Sequence, residues 1–226
     1  MERKTKRPIL SIKDQVYQVL RQDIMNGAYQ PGERINEVEI AKELNVSRSP
    51  VHCAITELTG EGLLESVSNK SIKVRQLSHK QVLDIFEYRV LVESYALGKF
   101  IPSLTPANEK AFRLFRQEFL DNATYDKLAA YVDVDARFHR YIVDCSGNDI
   151  VSDSFHRYSV LISPFRVISL KSKVRFSDSI KEHVKIIDAI LSDDVSTAVA
   201  TNEEHLNLAS EEINTYFINK KKEKDS

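Results

Sequence analysis

Apolar residues recur at helical spacing near the start of the chain. Ile12, Val16, Val19, Leu20 and Ile24 form one stripe and predict a helix over residues 11–26. Asn26-Gly27 ends the stripe, and Pro31-Gly32 marks a turn. A second short helix is predicted from about Val38 to Leu44. Asn45-Val46-Ser47 then makes a tight connection, and Ser47 is an N-cap residue type for a third helix whose first turn tolerates Pro50. Val51, Ile55 and Leu58 continue its apolar face until Gly60 and Gly62. Two β-like runs, Leu63–Val67 and Ser71–Arg75, flank Ser68-Asn69-Lys70 and predict a hairpin. Helix, helix, turn, helix, hairpin is the order of a winged helix-turn-helix.

From about Ser78 the pattern is helical. Six helices are predicted, over about 79–99, 106–120, 125–144, 149–170, 178–191 and 195–218, with no internal repeat. Thr105-Pro106 supplies an N-cap followed by proline at the first helical position, and Asp194 is placed to cap the last helix. The expected fold class is mainly α: a winged helix-turn-helix over residues 1–77, then an all-α helical bundle over residues 78–226.

Composition narrows the setting. At 226 residues the chain has room for two modules, and 42% hydrophobic with 29% charged residues excludes wholesale disorder. No apolar run approaches the roughly 18 residues of a membrane span. Met1 to Leu10 is basic but has no apolar stretch or cleavage site, which argues against secretion. With only Cys53 and Cys145, a reducing, cytoplasmic setting is expected and a disulfide framework is not. The net charge of −1 conceals a mild asymmetry: 12 Lys+Arg against 10 Asp+Glu over residues 1–77, and 20 against 23 in the rest. Basic residues cluster at Arg3-Lys4-Lys6-Arg7, at Arg34 with Arg48, and at Lys70-Lys73-Arg75, as phosphate contact requires. The basic tail Lys220–Lys224 reads as a frayed, solvated end.

A recognition helix lies in the major groove with its N-terminal residues at base edges. Ser47, Arg48 and Ser49 open the third helix, and Arg48 suits a bidentate contact with guanine O6 and N7. His52, one turn on, faces the same side, while Lys70 and Lys73 of the wing are placed for phosphate or the minor groove. On pattern alone, a helical module with a merely solvated basic face remains open. The segments Tyr29-Gln30-Pro31-Gly32-Glu33-Arg34-Ile35, Glu39-Ile40-Ala41, Leu44-Asn45-Val46-Ser47-Arg48-Ser49-Pro50-Val51 and Leu58–Leu64 resemble the GntR family of bacterial transcription regulators. That resemblance covers nearly all of residues 11–75. It implies that Arg34, Ser47, Arg48, Ser49 and the wing contact operator DNA. Two departures stand out. His52-Cys53 replaces the family's usual Arg-Glu, so the usual operator sequence does not carry over, and Ser71 replaces the usual wing glycine, so the wing turn is made differently.

In the helical half, Asp135 and His139 are four residues apart and share one helical face. His183 and His205 come from the fifth and sixth predicted helices, which as an antiparallel pair bring both imidazoles level. One carboxylate and three imidazoles suit a divalent ion such as Zn, Ni or Mn. Spacing alone leaves open that these are ordinary hydrogen-bonded histidines. The half also resembles the FadR-type C-terminal domain known as FCD, in its shorter, VanR-like six-helix version. The matching segments are Glu87–Glu93, Asp135–His139, Ser146-Gly147-Asn148, Glu182-His183 and His205. The resemblance implies metal ligation by Asp135, His139, His183 and His205, and an inward Arg89 that pairs with a carboxylate effector. An intrahelical Arg89–Glu93 pair is the plainer alternative.

The expected function is that of a bacterial homodimeric regulator, a repressor. Its affinity for double-stranded, pseudo-palindromic operator DNA would be controlled by a small organic acid bound in a metal-containing pocket, with no membrane partner. Two other readings stay open: a metal-dependent enzyme built on Asp135, His139, His183 and His205, and a DNA-binding protein with a purely structural bundle. No nucleophile motif, phosphate-binding glycine loop or cofactor fingerprint supports the enzyme.

Overall fold

The computed structural model describes residues 10–25, 28–68 and 71–225, which fall into two units, Met1–Gln76 and Leu77–Ser226. The predicted helix stop at Asn26-Gly27, the basic run Arg3–Arg7 and the wing residue Lys70 lie outside the described residues.

In the first unit α1 (Ile12–Met25) buries Val16, Leu20 and Ile24 and leaves Ile12 and Val19 at the surface, so the buried stripe is narrower than the apolar one. Asn36 caps α2 (Glu37–Glu43) by accepting from the Val38 N–H at 3.0 Å. Asn45 makes the following turn with φ +52°, a conformation its short polar side chain tolerates. α3 (Arg48–Gly60) buries Val51, Ala54, Ile55 and Leu58. Ser47 occupies its N-cap position with extended backbone, but its hydroxyl makes no capping bond. The hairpin pairs β2 (Leu64–Ser68) with β3 (Ser71–Val74), with an irregularity between Ser66 and Ser68. A two-residue strand, β1 (Arg34–Ile35), joins the other edge of β3, giving the order β1-β3-β2. Too short to leave a periodic signal, β1 is absent from the sequence prediction. Gly32 leads into it at φ +87°, and a Cβ there would lie 2.8 Å from the Gln76 side chain.

The second unit has seven α-helices among the described residues: α4 (His79–Phe100), α5 (Pro106–Asp121), α6 (Leu128–Asp144), α7 (Asp149–Leu161), α8 (Ser163–Ser169), α9 (Lys173–Leu191) and α10 (Val195–Asp225). The helix predicted over 149–170 is therefore two, and the count of six becomes seven. Pro164 is the reason. It has no N–H for an intrahelical bond, its ring crowds the preceding turn, and it settles instead in the first turn of α8. α9 begins five residues earlier than predicted because the Ser172 hydroxyl caps it, accepting from the Arg175 N–H. α6 begins later, after a 3-10 turn over Tyr125–Lys127. α10 runs through the basic tail predicted to fray, since Lys and Glu are good helix formers. As predicted, Thr105 caps α5 with Pro106 behind it, and Asp194 accepts from the Thr197 N–H at 3.0 Å.

An aromatic-rich core runs through α4, α5, α6 and α9, with Phe112, Phe119, Tyr131, Phe138 and Ile187 fully buried. Each such side chain stabilises by roughly 1.5–3 kcal/mol. A smaller cluster joins Val82 and Phe86 of α4 to Phe165 of α8 and Ile213 of α10.

Candidate metal centre and nucleic-acid interface

Asp135 and His139 stand on the buried face of α6, His183 on that of α9 and His205 on α10. The core aromatics set the depth: Phe119 stacks on the His183 ring at 4.3 Å, and His139 and His205 stack at 5.3 Å. One ligand atom from each of the four residues lies within 4.8 Å of the others, so the structure brings together all four predicted positions. His183 Nε2 is 3.1 Å from Asp135 Oδ1 and 3.3 Å from His139 Nε2, which is itself 3.5 Å from Asp135 Oδ1. Around an ion with ligand bonds of about 2.0–2.2 Å, neighbouring donor atoms stand roughly 3.0–3.5 Å apart. The spacing is that of ligands around a cation.

Proton placement bears on what the cluster could hold. His139 Nδ1 lies 2.7 Å from the Glu93 carboxylate, His205 Nδ1 lies 2.7 Å from Glu182, and His183 Nδ1 lies 2.8 Å from the Ser179 carbonyl and from the Tyr131 hydroxyl. Glu93, Glu182 and the carbonyl can only accept, so Nδ1 of each ring donates to them, and a ring carrying a single proton has its lone pair on Nε2. Lone pairs and a carboxylate oxygen then face one another with no donor between them. A divalent ion would satisfy all of them at once, and the Nδ1 partners would then be the outer shell that orients the rings.

The charged shell is balanced pair by pair. Arg89 Nε donates to Glu93 Oε1 at 2.8 Å, Arg166 donates to Asp135 Oδ2, and Arg175 lies 2.9 Å from Glu182. Burial alone would raise the Glu93 carboxyl, but Arg89 first and then His139 bring it down to about 2. Asp135 likewise falls well below the usual carboxylate range: Arg166, then His139, outweigh burial. Burial, then the neighbouring His183 and His139, push His205 well below its ordinary value, and burial lowers His183 despite Asp135.

Arg89 was expected to point inward, with its Glu93 pair as the alternative; the structure shows both. Its Nε is paired with Glu93, while Nη2 is buried with no partner among the described residues. Arg166 and Arg175 were not anticipated, yet Arg166 Nε and Nη2 and Arg175 Nε are also buried and unpartnered among the described residues. The three guanidiniums line one small cavity of about 10 Å³ with Asp135, Ser179 and His205, room for about one water. Glu93 was legible as the i+4 partner of Arg89, and Ser179 and Glu182 as helical neighbours of His183. No local pattern pointed to Arg166.

In the first unit, Arg34, Arg48, Ser49 and His52 line a groove of about 1080 Å³ together with Asn36 and Glu37 of α2 and wing residues such as Ser71 and Ile72. Ser47 is exposed at the same end of α3. Lys73 is half-buried, 3.0 Å from Glu65 on the partner strand. His52 Nδ1 meets Glu37 Oε1 at 2.9 Å, and Arg48 Nη2 lies 3.6 Å from Glu37 Oε2. The groove combines the donors of Arg34, Arg48 and Ser49 with the Glu37 carboxylate and with apolar Ile35, Val38 and Ile72.

The pattern of the bacterial regulatory proteins, gntR family, matches residues 12–74, and that of the FCD domain matches residues 84–208, more than half of the chain. The HTH-type transcriptional regulator YdhC of Bacillus subtilis (strain 168) is 28% identical over 182 residues, 78% of this chain and 79% of its own. The HTH-type transcriptional repressor RspR of Escherichia coli (strain K12) is 21% identical over 208 residues, 91% of this chain and 90% of its own. Among solved structures, E. coli McbR/YncC shares the fold with a TM-score of 0.78 at 18% identity, covering 92% of this chain and 100% of that one. The two parts define a helix-turn-helix transcription regulator. The chain belongs to the GntR family, with an FCD domain as its C-terminal part, and it is not an enzyme. Among the described residues no helix is long and apolar enough to cross a membrane.

Proposed function

We propose that the chain is a homodimeric, ligand-responsive repressor of the bacterial cytoplasm. In this reading residues 1–77 bind double-stranded operator DNA, and residues 78–226 hold the dimer, a divalent ion (Zn, Ni or Mn) and a small carboxylate effector. The repressor name of the RspR relative supports the direction of control. The observation that carries the effector reading is the set of partnerless N–H groups on Arg89, Arg166 and Arg175 beside Asp135, His139, His183 and His205. Buried donors without acceptors are costly, and guanidiniums match carboxylates in shape and charge. A bound divalent ion would offer a Lewis-acid seat for one carboxylate oxygen, while the guanidiniums would take the others. An acid larger than a water enters the cavity only if its lining shifts. Binding therefore favours a different arrangement of the helices, and operator affinity follows that shift.

The dimer reading rests on an apolar face. Leu91 of α4 and Ile150 of α7 are 72% and 79% exposed. Tyr95 and Tyr158 are exposed beside them, with Asn148 bonded to Tyr95 and Tyr158 packed on Tyr88. A second copy covers such a face in a two-fold dimer, and two winged helices then read two-fold related half-sites.

In binding assays with an operator selected from random DNA, an effector acid should weaken the affinity of metal-loaded protein by roughly 5- to 150-fold. A broad panel of mono-, di- and tricarboxylates without effect would refute effector control. In the same assay Arg48→Ala should cost about 1–3 kcal/mol of specific binding, whereas Lys73→Ala should weaken all sequences alike and flatten the salt dependence. If Arg48→Ala leaves the footprint and affinity unchanged, Arg48 does not read a base.

A further inference from the structure

His52 occupies an unusual position for a DNA-facing side chain, because its ring is already engaged from behind. It lies one turn into α3, exposed, with Nδ1 2.9 Å from Glu37 Oε1 of α2, while the other Glu37 oxygen lies 3.6 Å from Arg48 Nη2. Glu37 itself is mostly covered, at 22% exposure against 66% for His52, so the carboxylate is the fixed member of the pair. A carboxylate can only accept, so Nδ1 must be the ring nitrogen that carries hydrogen. With the ring neutral, the outward Nε2 is then a lone pair.

We infer that Glu37 sets the hydrogen-bond polarity of base reading by fixing His52 with Nε2 as an acceptor, so that His52 selects a base with an exocyclic amine. This rests on the proposal that the opening of α3 faces base edges. In the major groove only adenine N6 and cytosine N4 offer such a donor; guanine O6 and N7 and thymine O4 are acceptors and would meet the Nε2 lone pair unfavourably. A guanidinium at position 52 would present donors only and prefer the opposite bases. Arg48, one turn earlier, presents donors whatever Glu37 does, so two neighbouring positions of one helix read opposite polarities. Glu37 is thus a positioning residue for specificity: it acts through His52 and need not touch DNA.

The test is selection from random double-stranded DNA at pH 8 with the full chain, its Glu37→Gln and its His52→Ala forms. The wild type should enrich A or C at one position of each half-site, and replacing that base by G should weaken binding about tenfold or more. His52→Ala should lose discrimination at that position alone. Glu37→Gln carries an amide that can donate to Nδ1 and so permits the tautomer with Nε2–H outward. Its preference for the amine base should fall towards parity while the rest of the site stays the same, a change that general loss of folding would not produce. Identical preference in Glu37→Gln and wild type overturns the inference, as does a G or T at the His52-sensitive position, or a site indifferent to His52→Ala. A wild type that enriches no site at all refutes the DNA-reading proposal itself, and the inference with it.

Discussion

Glu93→Ala is expected to destabilise the helical unit by about 3–5 kcal/mol, the usual consequence of removing one partner from a buried ion pair. Glu93 is fully buried and holds three groups at once: Arg89 at 2.8 Å, His139 at 2.7 Å and Asn202 at 3.1 Å. Alanine strands the Arg89 guanidinium at 3% exposure with no counter-charge and leaves a cavity where the carboxylate stood. Glu93→Gln keeps the volume and an acceptor for His139, so it should lose less. Urea unfolding followed by far-ultraviolet circular dichroism measures both. A loss below about 1 kcal/mol for alanine would mean that the ring of ion pairs contributes nothing net, and that Arg89 finds water or another acceptor.

The second large effect concerns the proposed metal. A ligand bound only by the native state stabilises it by about 2.7 kcal/mol at a hundredfold excess over its dissociation constant. Exhaustive chelation should therefore lower the thermal midpoint by several degrees, and Zn, Ni or Mn should restore it. His139→Ala should abolish both metal retention and the rescue. Purified protein without stoichiometric metal, and without stabilisation by any of the three ions, would leave the four residues a metal-free polar core.

Acid should act in two stages. Burial holds the His183 and His205 imidazoles below their ordinary value in the folded chain, so below pH about 6.5 the unfolded chain takes up protons first and stability falls. Metal leaves in the same window, because protonated imidazole cannot ligate. Glu93, held down to about 2, and Asp135, held well below the usual range, add a second loss from about pH 4.5 downwards as the unfolded carboxylates protonate first. Stability that stays flat between pH 7 and pH 5 would contradict the first stage.

Several features were legible in the sequence because they are local. The α3 stripe of Val51, Ile55 and Leu58 ended by two glycines, and the i,i+4 pair of Asp135 and His139, need only helical periodicity. The chemistry of one carboxylate with three imidazoles then narrows the rest. Less was legible where a local signal was weak or passed over. Pro164 and Ser172 were both visible in the sequence, and reading through them merged α7 with α8 and started α9 late. Those two segments carry Arg166 and Arg175, two of the three guanidiniums that line the cavity, and correct boundaries alone would not have marked either as buried.

An arginine's burial is not a local property. Arg166 looks like any helix-surface cation until α8 packs it beside Asp135 of α6, and Arg175 until Glu182 one face along and the His205 carbonyl of α10 receive it. The sequence by itself determined the winged helix-turn-helix order, the helical class of the second unit and which residue types can ligate a metal or meet DNA, since spacing and side-chain chemistry suffice for these. Only the tertiary structure decided which nitrogen of each imidazole carries its proton and which cations are buried. It also decided that Glu37 lies behind His52. Several of these depend on partners from other helices, as His139 on Glu93, His205 on Glu182 and Arg166 on Asp135. In the interior burial makes such a partner obligatory, because in a low-dielectric medium an unpaired charge costs more than the packing that buries it gains.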